Sequence, residues 1–230
     1  MSKSLKYKCI VLDQDDTTVD STPSVHYKSY QLFMSKYRKD SPIFTLEEWY
    51  KILWDVNTTQ FFNDVLCLSN DEKKEIYQEW INCYTNSRIE MFPGILDFLK
   101  EYRSLGGIII VCTHGQATVI KDFYEKYTNG AFLPDDIYGF DPTHPELCKP
   151  YPYPIECVLQ KYRLTKQDIV VVDDLSHGLL MAKNAGVDSI GALYGKGHQL
   201  VADRIKELSK TTVDSVAELK SKVILLSSAL

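Results

Sequence analysis

The chain has 230 residues, 44% hydrophobic and 25% charged, which suits one large globular domain or a core domain with a smaller insert. A formal net charge of -5 without a basic stretch argues against non-specific nucleic-acid binding, and no apolar run is long enough to span a bilayer. The amino-terminal residues lead into a strand rather than a signal-peptide apolar region, and the 6 cysteines contain no C-x-x-C pair, so reduced thiols in a cytoplasmic protein are expected.

The first predicted element is a strand over Cys9–Leu12, apolar on both faces and therefore buried. It ends abruptly in Asp13, and a second carboxylate, Asp15, follows two residues later. On an extended chain these two side chains point the same way and can converge on one substrate. Two such carboxylates repel unless a cation lies between them or one takes a proton. The pair therefore points either to a divalent metal with oxygen ligands or to an acid/base couple.

From about Thr22 to Glu90 the pattern is helical, over Val25–Tyr37, Leu46–Trp54 and Glu72–Ile89, without a clear buried strand. This stretch holds all three tryptophans, expected to form the insert's own core rather than a stacking box. The chain then re-enters a strand–helix rhythm at Phe92-Pro93-Gly94. A helix over Ile95–Leu105 precedes a strand over Gly107–Cys112 that ends in Thr113-His114-Gly115. A helix over Gln116–Tyr127, the dipeptide Lys149-Pro150 and a helix over Tyr153–Tyr162 follow. The strand Ile169–Val172 ends in Asp173-Asp174, and the helix Gly178–Asn184 stops at Gly186. A strand over Ser189–Leu193 and a last helix over Val216–Leu226 complete the pattern, with Ser227–Leu230 expected to fray.

Alternating strands and helices predict an α/β fold, a doubly wound, Rossmann-like parallel sheet, with ligands at the carboxyl ends of the strands. The expected division is a core over 1–21 and 91–230 and an inserted helical domain over 22–90. Of the histidines, His26, His144, His177 and His198 show no metal-ligand spacing and are assigned no role. Oligomeric state is not legible.

Four short motifs in order give the pattern chemical meaning. They are Asp13-Gln14-Asp15-Asp16-Thr17 (D-x-D-x-T), Thr113 after an apolar strand, Lys149-Pro150, and the acidic Asp173-Asp174 after another apolar strand. With Val19-Asp20-Ser21 and Phe92-Pro93-Gly94-Ile95, the chain resembles the haloacid dehalogenase-like hydrolases over nearly its whole length. The resemblance implies a Mg²⁺-dependent phosphatase acting on a small phosphorylated metabolite. In that scheme Asp13 attacks phosphorus to form an aspartyl-phosphate, and Asp15 protonates the leaving alkoxide and later takes a proton from water. Thr113 and the amides of His114 and Gly115 hold phosphoryl oxygens, with Lys149 offsetting their charge. Asp13, the Asp15 carbonyl and Asp174 hold Mg²⁺, with Asp173 a further candidate. The insert corresponds to a C1-type helical cap.

The second carboxylate, Asp15, argues against a dehalogenase or phosphonatase, neither of which carries it. The alternatives within the resemblance are a sugar phosphomutase and a non-catalytic binding protein that retains the fold. Three positions depart from the usual pattern. Asp16 and Asp173 stand where Gly is common, and Gly178 stands where a second acidic residue is common. Asp173 is the candidate to compensate for Gly178.

Overall fold

The computed structural model describes residues 2–226. The fraying expected for Ser227–Leu230 lies outside the described residues. In chain order the structure runs through β1 (Lys3–Leu5), β2 (Cys9–Leu12) and β3 (Val19–Asp20). A π-helical turn over Thr22–His26 leads into α1 (Tyr27–Tyr37), followed by α2 (Leu46–Asp55). The short α3 (Thr58–Gln60) continues as a π-helical turn over Phe61–Val65 and is followed by α4 (Asn70–Asn86). The chain returns through β4 (Glu90–Met91), α5 (Ile95–Ser104), β5 (Ile108–Cys112), α6 (Ala117–Tyr127), β6 (Asp136–Tyr138) and α7 (Tyr153–Tyr162). The remainder comprises β7 (Ile169–Asp173), α8 (Ser176–Ala185), β8 (Asp188–Ala192), α9 (Ala202–Leu208), β9 (Thr211–Val213), α10 (Val216–Val223) and β10 (Ile224–Leu226).

The main sheet has the order β6-β5-β2-β7-β8-β9, and every neighbouring pair is parallel. β2 lies in its middle, with Leu12 opposite both Val111 of β5 and Val172 of β7. The period of two along these strands builds two apolar layers. Ile10, Leu12, Ile109, Val111, Val170 and Val172 pack on one face. Cys9, Val11, Ile110, Ile169 and Val171 pack on the other, against Val158 of α7 and Met181 of α8. Both faces of β2 are therefore covered, which is why its sequence has no polar alternation. The doubly wound parallel sheet is thus present, and its in-register strands end together at one edge. Chain crossovers from β5 to β6 on one side and to β7 on the other open a crevice there.

β3 and β4 pair antiparallel at the base of the helical insertion, with Val19 opposite Met91. Serine and threonine start two of its helices by capping boxes, Thr45 with Glu48 at α2 and Ser69 with Glu72 at α4. The insertion has its own core of Tyr30, Phe33, Met34, Trp49, Phe61, Leu68 and Ile76. The tryptophans divide differently from the expectation. Trp49 lies in that core, but Trp54 packs on Leu179, Leu193 and Ile205 of the sheet region. Trp80 is only partly buried and borders a cavity. Trp54 is reinforced as an anchor by its carbonyl, which accepts a 2.6 Å hydrogen bond from Ser176.

The expected last helix is a helix only to Val223; Ile224–Leu226 instead pair antiparallel with Lys3–Leu5. Three residues of half-exposed strand carry no periodicity that separates them from the end of an amphipathic helix. The short edge strands β6 and β9 and the helix α9 also escaped the sequence reading for want of a long apolar run. No helix among the described residues is long and apolar enough to cross a membrane, and all six cysteines are unpaired.

Candidate active site

The carboxyl ends of β2, β5 and β7 bring the four motifs together. The Asp13 amide donates to the Val172 carbonyl at 2.9 Å, so the β2–β7 ladder extends to the first aspartate. Lys149 reaches in from the loop before α7, and its Nζ lies 2.8 Å from both Asp13 Oδ1 and Asp173 Oδ2. Asp13, Lys149, Asp173 and Asp174 are all buried. Burial works against the Lys149 ammonium, yet Asp13 and Asp173 outweigh it and push its pKa up. Burial pushes the Asp13 carboxyl up, with Lys149 pulling it down and Asp173, Asp174 and Asp15 adding to the rise.

Asp15 lies at the turn that leads out of β2. β2 stops at Leu12, and Asp16 turns the chain in a left-handed conformation with φ 57°. The Asp15 carboxylate lies near enough to Asp13 to act on its charge and is held from the insertion side. Its Oδ1 accepts from the Ser21 hydroxyl at 2.7 Å and lies 3.0 Å from His26 Nε2, off the axis of a good hydrogen bond. Burial opposes ionisation of Asp15, but the His26 charge and the Ser21 hydroxyl win and hold its pKa low. Burial likewise opposes the His26 imidazolium, and Asp15 raises it nonetheless. His26 belongs to the insertion, so the pair joins the sheet edge to the helical layer.

Asp16, at a position where glycine is common, explains itself. Aspartate tolerates the left-handed conformation when its side chain bonds locally. Here Asp16 Oδ1 accepts from the Ser21 and Thr22 amides at 3.1 and 3.0 Å, at the start of the first turn of the insertion.

Asp173 and Gly178 are also linked. A Cβ at Gly178 would lie 1.8 Å from Asp173 Oδ2, so the Asp173 carboxylate occupies the space that a side chain at 178 needs. That carboxylate is held by Lys149 and by the Leu175 amide at 2.9 Å. The Asp173 carboxylate, from the strand end, thus fills the space over the first turn of α8.

Three carboxylates, those of Asp13, Asp173 and Asp174, have oxygens within 4.8 Å of one another. One lysine does not balance them, and an all-oxygen set with excess negative charge fits a hard divalent cation such as Mg²⁺. Asp174 is further fixed by the Thr17 hydroxyl at 2.7 Å and by His198 Nε2 at 3.0 Å. His198 Nδ1 accepts from the Gly195 amide at 3.0 Å, and its Nε2 faces Asp174 off the axis of a good hydrogen bond, in a second group with Asp16 and Asp174 whose atoms lie within 4.8 Å of one another. The Asp15 carboxylate is outside this group.

Thr113 follows β5, is buried, and its Oγ1 accepts from the Gly115 amide at 2.9 Å. Neither Thr113 nor Asp174 is a helix N-cap, since those positions at α6 and α8 are Gln116 and Leu175. The Gly115 amide thus already has a partner within the loop. Burial and the Lys149 charge push His114 down to about 3, so its neutral ring donates from Nε2 to the Lys149 carbonyl at 3.0 Å. His177 packs edge-on against His114, and burial pushes it down to about 4. Sequence reasoning missed His26 and His198. Spacing along the sequence could not find them, because each faces a carboxylate brought to it by the fold.

A cavity of about 450 Å³ opens between the helical insertion and the sheet edge, bordered by Asp15, His26, His114 and Gly115.

Comparison with known proteins matches residues 10–192 to the family described as haloacid dehalogenase-like hydrolase. The phosphoglycolate phosphatase of Vibrio cholerae is 27% identical over 127 residues, 55% of this chain and 55% of that protein, so the match spans about half the length of that relative. The phosphoglycolate phosphatase of Vibrio parahaemolyticus is 22% identical over 217 residues, covering 87% of this chain and 94% of that protein. A haloacid dehalogenase-like family protein from Streptococcus pneumoniae has a similar fold, with TM-score 0.73, 21% identity and coverage of 94% and 98% of the two chains.

Proposed function

The chain belongs to the haloacid dehalogenase-like hydrolase family, and from that premise we propose that it is a Mg²⁺-dependent phosphatase of a small phosphorylated metabolite. The observation that carries this reading is the buried contact of Lys149 with Asp13 beside Asp173 and Asp174. It supplies a nucleophile, a cation and a metal-ligand set at one strand edge. The relatives named phosphoglycolate phosphatase support it.

In this reading a carboxylate oxygen of Asp13 attacks phosphorus, an O–P bond forms, and the bond from phosphorus to the alcohol oxygen breaks. The departing alkoxide takes a proton from Asp15. Water then attacks the aspartyl-phosphate, gives its proton to the Asp15 carboxylate, and releases inorganic phosphate and free Asp13. The His26–Asp15 pair holds its proton to higher pH than a free imidazole would, because Asp15 raises His26 against its burial, and this proton serves the first step. Thr113, His114 and Gly115 bind phosphoryl oxygens, the Gly115 amide exchanging its Thr113 partner for substrate. Lys149 favours the ionised form of Asp13 against its burial and offsets phosphoryl charge. Asp13, the Asp15 carbonyl, Asp173 or Asp174 would hold Mg²⁺, which when bound supplies charge neutralisation between the carboxylates and the phosphate. Residues 22–90 act as the cap that excludes water.

The test is hydrolysis of p-nitrophenyl phosphate with and without Mg²⁺ by the parent and by Asp13→Asn. Loss of at least about a thousandfold in kcat is expected for the variant, in line with removal of a covalent nucleophile. Similar turnover in both forms rules out Asp13 as the nucleophile.

A further inference from the structure

The cavity above Asp15 is unlike a site for a two-carbon acid. Its insertion side is walled by Trp49, Phe62, Ile76, Tyr77 and Trp80, and Phe140 closes it from the sheet side. Ile76, Tyr77 and Trp80 lie on one face of α4, at spacings that place them on adjacent turns. The Tyr77 and Trp80 rings stack at 23° with centroids 5.8 Å apart, and the Trp80 ring lies 6.3 Å from that of His26. His26 in turn contacts Asp15. An aromatic surface thus begins next to the proposed proton donor and runs outward from it. Two lysines, Lys73 and Lys74, also border the cavity, about one turn of α4 before Tyr77. Lys74 is already paired with Asp71 at 2.8 Å.

We propose that the substrate is a phosphate monoester whose alcohol part carries a planar aromatic or heteroaromatic ring, held against Trp80 and Tyr77. The inference rests on the phosphatase reading and narrows its substrate class. Phosphoglycolate is too small to cover this apolar wall, whose bordering lysines, Lys73 and Lys74, lie at its far end on α4. A flat ring buries apolar area there and meets the aromatic faces in offset or edge-on geometry.

The experiment compares kcat/KM for methyl, benzyl and 2-naphthylmethyl phosphates and for phosphoglycolate, all alkyl esters, in the presence of Mg²⁺. A rise of at least about tenfold from methyl to naphthylmethyl phosphate is expected, a size typical of added apolar contact in a pocket, with phosphoglycolate no better than methyl phosphate. Trp80→Leu should shrink that ratio. Benzylphosphonate, which cannot be hydrolysed in this way, should quench tryptophan fluorescence of the parent saturably at concentrations where methylphosphonate does not. A flat ester series, or a preference for phosphoglycolate, overturns the ring proposal and leaves the phosphatase standing. Saturable quenching with no ester hydrolysed does the reverse. Neither quenching nor hydrolysis removes both.

Discussion

The sheet edge and the helical insertion are built on opposite principles. The sheet edge is a floor of buried charge, with Asp13, Lys149, Asp173 and Asp174 locked by backbone register and by one another. The helical insertion is a wall of rings, with Tyr30, Trp49 and Phe61 at its centre and Tyr77 and Trp80 at its face. The floor has almost no freedom, because moving any one carboxylate leaves another charge unpaired and buried. The wall is held by apolar packing, where a change of similar volume is tolerated. Chemistry and selectivity are therefore separable, and the floor should be the more fragile of the two.

The sharpest test of that fragility is Gly178. Gly178→Asp forces the Asp173 carboxylate from the space it fills and from its Lys149 and Leu175 contacts. Turnover of p-nitrophenyl phosphate should fall by about 100-fold, as when a group orienting a metal or its ligands is lost. The double variant Asp173→Gly/Gly178→Asp removes the clash and returns an acidic group to the same region. It should recover much of the loss. Equal damage in the single and double variants would show that the two positions do not act as one unit.

A smaller effect tests the charge excess of the floor. If Asp13, Asp173 and Asp174 need a cation, Mg²⁺ at about 100 times its Kd should stabilise the fold by roughly 3 kcal/mol through binding to the native state alone. Thermal unfolding with and without Mg²⁺ reads this directly. The gain should be largely lost in Asp174→Asn, whereas a change in the wall such as Trp80→Leu should keep it. The same upward shift in Tm for Asp174→Asn as for the parent would place the cation elsewhere.

The floor was largely legible in the sequence and the wall was not. A strand buried on both faces must be a continuous apolar run, so β2, β5 and β7 were visible, and with them the residues at their ends. Asp13, Lys149, Asp173 and Asp174 do meet, as their order along the chain suggested. What the sequence did not reveal about Asp15 is its company, the Ser21 hydroxyl and His26, which the turn at Asp16 brings to it. His26 and His198 were invisible because they are brought to carboxylates by an insertion and by a loop after β8, and neither neighbour is near in sequence. In the wall, helical periodicity identifies a buried face but cannot separate Trp49, in the insertion's core, from Trp80, at the cavity. That distinction depends on which helix packs beside which.

His26 is where floor and wall meet, and the smallest predicted effect concerns it. His26 has a raised pKa and Asp15 a lowered one, so their ion pair is complete between the two and holds one more proton than a lone carboxylate would. As pH falls through the lowered Asp15 value the carboxylate is neutralised; as pH rises through the raised His26 value the extra proton is lost. The alkaline limb of kcat/KM in the parent therefore reports loss of the proton from the pair, not from either residue alone. His26→Gln keeps a polar side chain but removes the charge. Asp15 then rises from its depressed value, yet the only proton left for the leaving alcohol is on a carboxyl group, which releases it at lower pH than an imidazolium. The alkaline limb should move to lower pH while Mg²⁺ still stabilises the fold. A limb that stays in place in His26→Gln would assign it to another group and make the contact between the insertion and Asp15 purely structural.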